Sequence, residues 1–257
     1  MKKISSLLLA IVVLSSCSDD EPRAEIISDA EAVDEIANSL ATDVVSLVED
    51  MGSTGILTQT NNTNGRLGLT IPGCGETVSQ EVSKEFENDF VSVTYDANYE
   101  VSLECLSLFP FGLQGSFSTS STSQNARFTT NGSSVGTVNV SLDTEQIGNY
   151  LLNAVFSKTG EFNQLAGDQK SFNSTSTAAI TDLSVSTAYL ASLVAGEIPT
   201  GNLVTSGSAT YSVVGVNRNN EPYEYSAAII FLGDGTAEVT INGTAYVVNL
   251  RTGEVIS

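Results

Sequence analysis

Histidine and tryptophan are both absent from this chain of 257 residues. Without histidine the chain can form neither a Ser-His-Asp nor a Cys-His catalytic arrangement, and it can build no histidine-ligated metal site. Without tryptophan it lacks the largest aromatic platform for a sugar ring. Neither the G-x-G-x-x-G nor the G-x-x-x-x-G-K-[ST] phosphate-binding pattern occurs. The sequence therefore predicts no enzyme, no catalytic residue, no metal site and no cofactor.

Basic residues are also scarce, since 10 Lys and Arg face 30 Asp and Glu for a formal net charge of −20. A polyanion of this kind is repelled by nucleic-acid phosphates, so no nucleic-acid partner is expected. Neutral glycans, basic proteins and hydrophobic ligands remain as candidate partners. Charged residues make up only 16% of the chain, and Val, Ile, Tyr, Phe and Thr recur in short runs. This composition favours β structure over disorder.

The N-terminus carries an apolar run, Ile4–Leu14, directly after Lys2 and Lys3. The run is too short to cross a bilayer, which takes about 20 apolar residues. It has the proportions of a secretory signal sequence. The tetrapeptide Leu14-Ser15-Ser16-Cys17 follows and resembles the bacterial lipobox.

The lipobox resemblance implies that residues 1–16 are a lipoprotein signal peptide cleaved between Ser16 and Cys17. Cys17 would then carry a thioether-linked lipid such as a palmitate-containing diacyl group. Each buried methylene contributes about 0.8 kcal/mol, so two or three acyl chains give a stable membrane anchor. The alternative is an ordinary cysteine at the end of a signal peptide.

The acidic run after the cysteine, Ser18, Asp19, Asp20 and Glu21, resembles the surface-export signal of Bacteroidetes-type lipoproteins. The resemblance implies an outer-membrane protein exposed on the cell surface, with residues 17–27 as a lipidated acidic tether. In other bacterial groups an aspartate in this place resembles a retention signal for the inner membrane. If the run is only a solvated linker, the domain faces the periplasm instead.

Two further cysteines, Cys74 and Cys105, remain in the exported chain. Because an exported protein meets an oxidising compartment, a disulfide between them is predicted. Closing this loop would stabilise the fold by about 3–4 kcal/mol in the chain-entropy model. The alternative is two independent buried thiols.

One amphipathic helix is predicted over residues 28–51. Ser28 and Glu31 fit the S-x-x-E capping box, and Gly52 suits the C-terminal stop. Apolar residues recur at three- and four-residue steps and form one face, which needs a surface to pack against. These residues are Val33, Ile36, Ala37, Leu40, Val44, Leu47, Val48 and Met51.

The hydrophobic period changes to two after about residue 78, as expected of strands. Asp234-Gly235 and Asn242-Gly243 separate alternating runs and predict a three-stranded C-terminal meander. Asn131-Gly132 predicts a turn. Residues 143–160 fit either a helix or a strand, and the surrounding meander favours a strand. Residues 187–195 fit a short helix.

Residues 28–257 are therefore predicted to form a single mainly β domain. Its roughly ten strands would make a curved antiparallel sheet or an open barrel, with the N-terminal amphipathic helix packed on it. The alternative is a two-sheet β-sandwich. The C-terminal segment FLGDGTAEVTINGTAYVVNLRTGEV resembles hairpins of uncharacterised Bacteroidetes-type lipoproteins, a resemblance that carries no activity.

Four tyrosines are the candidate ligand-binding residues, because tyrosine is favoured at interfaces: Tyr95, Tyr99, Tyr223 and Tyr225. Alternating tyrosines in strands also serve as core residues or cross-strand pairs. Among the acids, Glu100 and Glu104 share the polar face of one predicted strand. They lie about 13 Å apart, which is too far for a pair of catalytic carboxylates.

These features support three functional hypotheses. The first is a membrane-anchored surface lipoprotein that acts as a non-enzymatic binding or structural module. The second is a periplasm-facing carrier of a lipid or other hydrophobic ligand, which would require an unfilled apolar cavity. The third is a glycoside hydrolase that uses carboxylates alone.

Overall fold

A computed structural model gives the structure of the protein for eleven stretches of the chain. They are residues 28–45, 47–48, 75–87, 91–104, 112–125, 128–146, 148–165, 171–195, 197, 201–217 and 220–256.

Ten antiparallel strands form one unclosed, curved sheet in which each strand pairs with its neighbours in sequence. This confirms the predicted mainly β fold in its curved-sheet form rather than the two-sheet alternative. The strands are β1 (Thr77–Glu87), β2 (Val91–Glu104), β3 (Gly112–Asn125), β4 (Phe128–Leu142), β5 (Asn149–Gln164), β6 (Ser171–Ser186), β7 (Val204–Asn217), β8 (Pro222–Phe231), β9 (Thr236–Ile241) and β10 (Thr244–Asn249).

The two faces of the sheet differ because side chains alternate along each strand. In β8 every second residue from Tyr223 to Phe231 is buried and the residues between them are exposed. We call the buried side the inner face and the other side the outer face. The alternation seen in the sequence of this strand is thus confirmed.

The amphipathic helix packs against the inner face. Helix α1 (Asp29–Ser39) opens with the predicted capping box, in which the Glu31 amide donates to Ser28 Oγ and the Ser28 amide donates to Glu31 Oε2 at 2.9 Å. The chain then continues as a π-helical turn, Leu40–Val45, rather than as regular α-helix. The predicted apolar residues from Val33 to Val48 are buried. Met51 and Gly52 lie outside the described residues.

The remaining local predictions are mostly confirmed. Residues 149–164 are strand β5, and helix α2 (Thr187–Ala195) links β6 to β7. The turn at Asn242-Gly243 joins β9 to β10, and both residues have the positive φ that such a turn requires. The predicted turn at Asn131-Gly132 is wrong, because both residues continue β4 and pair with Thr122 and Ser121 of β3. Among the described residues, no helix is long and apolar enough to span a membrane.

A chain of aromatic rings runs across the inner face. Phe117 and Phe156 lie on β3 and β5, on either side of Gly136 in β4, with ring centroids 6.1 Å apart. A Cβ at Gly136 would come within 2.5 Å of the Phe156 Cβ and 2.8 Å of the Phe117 ring. Glycine at this position therefore lets two rings from non-adjacent strands meet.

Candidate functional site

The inner face becomes polar where helix α1 and the π-helical turn cross strands β5 to β8. Three polar residues at four-residue spacing on the helix meet five polar side chains of the sheet, and together we call them the junction cluster. Its members are Glu35, Ser39, Asp43, Lys158, Ser174, Ser176, Tyr211 and Tyr225.

Glu35 binds two strands at once. The Tyr225 hydroxyl donates to Glu35 Oε2 at 2.7 Å, and the Ser174 hydroxyl donates to Glu35 Oε1 at 2.8 Å. Burial raises the pKa of Glu35, although these two hydrogen bonds and the charge of Lys158 act in the opposite direction. Burial, followed by the nearby Glu35 charge, raises the pKa of Tyr225 well above its ordinary value. Glu35 thus ties the helix to β6 and β8 at an electrostatic cost.

A second set of contacts forms a directed chain of hydrogen bonds. A carboxylate only accepts, so Ser39 Oγ donates its single proton to Asp43 Oδ2 at 2.5 Å. Ser39 Oγ then accepts from the Tyr211 hydroxyl, which in turn accepts from Ser176 Oγ at 3.1 Å. Burial, followed by the Asp43 charge, raises the pKa of Tyr211, so the phenol stays neutral and can donate.

An ion pair ends this chain. Lys158 Nζ on β5 lies 2.8 Å from Asp43 Oδ2, and the two side chains are only 12% and 4% exposed. The other carboxylate oxygen, Asp43 Oδ1, is buried and has no hydrogen-bond partner among the described residues. Asp43 in the π-helical turn therefore contacts the sheet directly through Lys158 and indirectly through Ser39 and Tyr211.

The protonation of Glu35 gives a testable pH dependence. Its pKa in the folded state is above the ordinary 4.5, so the native protein binds this proton more tightly than the unfolded chain does. Its contribution to stability is therefore fully present below about pH 4.5 and is lost as the pH rises through the raised pKa. Glu35→Gln cannot titrate, so its free energy of unfolding relative to the wild type should increase from acid to neutral pH.

Urea unfolding of wild type and Glu35→Gln at several pH values between about 4.5 and 8 measures this difference. The amide also differs from a protonated carboxyl in its hydrogen bonds, and this difference adds an offset that does not change with pH. A difference between the two proteins that stays constant over this range would contradict the raised pKa.

The space beside the junction cluster is small. A cleft of about 30 Å³ is lined by residues that include Glu35, Ser39, Lys158 and Tyr211. A second cavity of about 70 Å³ lies beside Tyr189, Leu203 and Arg251. Spaces of this size hold a few water molecules, whereas ligand pockets typically measure about 300–1,000 Å³. The junction cluster is thus a polar contact between helix and sheet, and the cleft beside it has room for water molecules only.

The four candidate tyrosines all lie on the inner face, with 2–7% of each residue exposed. Tyr95 and Tyr99 lie on either side of Ala97 on the inner face of β2, with their hydroxyl oxygens 2.9 Å apart. Tyr223 and Tyr225 stack at a centroid distance of 6.2 Å on β8. In this structure the four tyrosines are core residues, which is the alternative to ligand binding that the sequence left open. Ligand binding through them stays a prediction that would require the inner face to open.

The other predicted sites lie outside the described residues. They are the cleavage and lipidation residues Ser16 and Cys17, the export residues Ser18, Asp19, Asp20 and Glu21, and the disulfide cysteines Cys74 and Cys105. All of these assignments stay predictions. Of the two carboxylates considered for hydrolysis, Glu100 is exposed on the outer face.

One nucleophile-like sequence pattern lies in strand β4. Gly132 to Gly136 reads G-S-S-V-G, which matches the G-x-S-x-G pattern. The central Ser134 lies inside strand β4, is buried, and has a hydroxyl with no hydrogen-bond partner among the described residues. A nucleophile elbow needs a sharp strand-to-helix turn and a base, and here the backbone is extended and histidine is absent. Ser134 is therefore no activated nucleophile of this type.

The outer face presents an ordered array of short polar side chains across β3 to β7. The strand register aligns four exposed hydroxyl residues on four successive strands, and we call them the hydroxyl row. They are Ser120 on β3, Ser133 on β4, Thr159 on β5 and Thr175 on β6. A parallel line of Ser118, Val135, Ser157, Thr177 and Ser212 runs two residues away along the strands.

The centre of the outer face is almost free of charge. Among the described outward side chains of β3 to β7, only Glu161 and the bulge residue Asp182 are ionisable. Acids occupy both flanks instead: Glu81, Glu85, Asp96 and Glu100 on β1 and β2, and Glu224 and Glu238 on β8 and β9. For a chain of net charge −20, this gives a neutral field between two acidic borders.

No protein-family model, curated protein or solved structure matches the chain. Within the part of the chain that the structure describes, no group of three or more His, Cys, Asp or Glu side chains could hold a metal ion. The junction cluster and the outer face are therefore the two features from which a function can be inferred.

Proposed function

We propose that the protein is a lipid-anchored surface lipoprotein that acts as a non-enzymatic binding or structural module, with the outer face as its working surface. One observation carries this proposal. The inner face is covered by helix α1 and packed aromatic rings, whereas the outer face of β3 to β7 is exposed and uncharged over most of its area. Side chains available to a partner are therefore concentrated on the outer face.

The anchor at Cys17 and the tether 17–27 support display of this module away from the membrane. Eleven residues span at most about 36–40 Å when fully extended. The tether leads into α1, which begins with the capping box at Ser28. A tether of this length would let the domain stand off the membrane.

The carrier hypothesis receives less support. A carrier of an acyl chain or similar ligand needs an apolar cavity, and the two cavities described above measure about 30 and 70 Å³. Both are lined in part by polar or charged side chains, such as Lys158 and Arg251. Within the described residues, buried side chains of the helix and the sheet form one hydrophobic cluster.

Localisation tests the proposed function. The intact chain and its Cys17→Ala variant would be expressed in a host that exports Bacteroidetes-type lipoproteins, followed by fractionation and protease treatment of whole cells. We expect the wild type to be membrane-bound and protease-accessible, and Cys17→Ala to lose the membrane association. A third chain with Asp19, Asp20 and Glu21 replaced by alanine should remain anchored but become shielded from protease. Wild-type protein that is anchored yet shielded would overturn surface display.

A further inference from the structure

We propose that the outer face of β3 to β7 binds an uncharged, hydroxyl-rich polysaccharide along the hydroxyl row. This inference rests on the proposed function, because it names the partner of the same exposed surface. Three features support it: the distribution of charge on the outer face, the hydrogen-bonding groups of its side chains, and the regular spacing of the hydroxyl row.

The charge pattern selects an uncharged partner. The field that contains Ser120, Ser133, Thr159 and Thr175 is bordered by Asp96 on β2 and by Glu224 on β8. An acidic polymer or a nucleic acid would meet repulsion at both borders. A basic protein would be drawn to the borders rather than to the centre. A neutral polymer crosses the field without an electrostatic penalty.

The side-chain chemistry matches a polymer of hydroxyl groups. Each Ser or Thr hydroxyl offers one donor and two acceptor positions, and the Asn side chains at 131, 139, 153 and 173 add amide donors and acceptors. Sugar hydroxyls have the same dual capacity, so either group can donate or accept. Short side chains also lose little rotamer freedom on binding, in contrast to Lys or Arg.

The shape of the array favours a repeating polymer over a small ligand. Neighbouring strands are spaced by about 4.8 Å, and successive outward residues on one strand by about 6.8 Å, so the hydroxyls form a regular lattice. The hydroxyl row crosses four strands and therefore extends over about 14 Å. Ser133 Oγ and Thr159 Oγ1 are 3.4 Å apart within it. The row is part of an open face, so its affinity must come from contacts repeated along a chain.

A tight protein–protein contact is a poorer match for the same field. Energetically dominant interface residues are enriched in Trp, Tyr and Arg, and the described outward side chains of β3 to β7 include none of them. These side chains also offer no Trp or Tyr ring on which a sugar could stack, so the polysaccharide must be held by hydrogen bonds repeated along its chain. Exposed Val135, Val155 and Val214 supply the apolar contact that the less polar faces of sugar rings accept. A second copy of this chain would bring two acidic borders together.

The test is retention of the mature, lipidated chain in detergent micelles on insoluble polysaccharides. The neutral probes are cellulose, mannan, xylan and starch, and calcium-crosslinked alginate is the acidic counterpart. We expect retention on at least one neutral probe, little retention on alginate, and little change with added salt, because the contacts are hydrogen bonds between uncharged groups.

The decisive variant removes the hydroxyl row by Ser120→Ala, Ser133→Ala, Thr159→Val and Thr175→Val. We expect at least a tenfold loss of retention. The matched control carries Thr77→Val, Ser79→Ala, Ser83→Ala and Thr94→Val, which are exposed outer-face positions on β1 and β2. It should bind like the wild type. Both variants change only exposed side chains, and equal thermal unfolding of the two confirms that folding is matched.

Three results would overturn the proposal: no wild-type retention on any neutral probe, equal loss in the control variant, or retention on alginate that matches the best neutral probe. The localisation experiment separates this outcome from failure of the proposed function. A protein that is displayed on the cell surface but ignores every neutral polysaccharide leaves surface display intact and removes the glycan partner. A protein that is shielded in cells but still binds polysaccharide through the hydroxyl row removes surface display and leaves the glycan partner intact.

Discussion

Lys158→Met should lower the free energy of unfolding by about 3–5 kcal/mol, because it leaves the Asp43 carboxylate buried without its counter-ion. The two atoms of the pair are 2.8 Å apart, and both side chains are largely withdrawn from water. Asp43 Oδ1 has no partner among the described residues, and Lys158 and Ser39 both bind Oδ2, so Ser39 alone would remain hydrogen-bonded to the carboxylate. Chemical denaturation near neutral pH measures the loss directly.

The double variant Lys158→Met/Asp43→Leu separates a charge effect from a packing effect. Replacing both members of a buried ion pair by apolar residues is often neutral or stabilising. The double variant should therefore recover most of the loss, since Ser39 can donate to a backbone carbonyl of its own helix instead. If the double variant is as unstable as the sum of the two single variants, the ion pair is not the cause. A loss below about 1 kcal/mol in Lys158→Met would equally contradict the buried-pair account, since that is the range of exposed pairs.

The regular parts of the fold could be predicted because their signals are local. The capping box needs only Ser28 and Glu31, and the meander needs only alternation and the Asp234-Gly235 and Asn242-Gly243 turns. The π-helical turn Leu40–Val45 could not be predicted, because its apolar residues keep the three- and four-residue steps of a regular helix. The turn predicted at Asn131-Gly132 is absent because pairing with β3 and β5 overrides a local turn preference.

The junction cluster could not be predicted because its members are distant in sequence. Glu35, Ser39 and Asp43 border the apolar stripe of the helix, where polar residues normally face water. The folded sheet brings Lys158 to Asp43 and Tyr225 to Glu35, and nothing in the local sequence indicates these contacts. A weak signal did exist in β6, where Ser174 and Ser176 interrupt the apolar alternation between Phe172 and Ala178.

The hydroxyl row depends on strand register in the same way. The sequence places Ser and Thr at outward positions of each strand, as the period of two requires. A slip of one residue in any pair would turn the hydroxyls of that strand to the inner face. The row exists because the apolar residues fix the register, as Phe156 does opposite Gly136. The core thus determines the pattern that the outer face presents.

Phe172→Ala should destabilise the protein by about 3–5 kcal/mol, as expected for deletion of a buried aromatic ring. Phe172 is 0% exposed and lies on the inner face of β6. Its ring contacts Phe162 at a centroid distance of 6.1 Å and meets Tyr223 edge-on at 5.5 Å. Tyr223 in turn stacks on Tyr225, which donates to Glu35. Loss of the ring should therefore also loosen the contact between β8 and helix α1.

The matched control for this variant is Val155→Ala, an apolar truncation on the outer face where the side chain is 59% exposed. It should change stability by no more than about 0.5 kcal/mol. A double-mutant cycle of Phe172→Ala with Glu35→Gln then tests whether the effect reaches the helix. Changes in the free energy of unfolding at sites without shared partners add within about 0.3–0.5 kcal/mol. Coupling above that range would link Phe172 to Glu35 through the two tyrosines. Strict additivity would confine the effect to the ring's own cavity, and equal losses in Phe172→Ala and Val155→Ala would contradict the assignment of the inner face as the core.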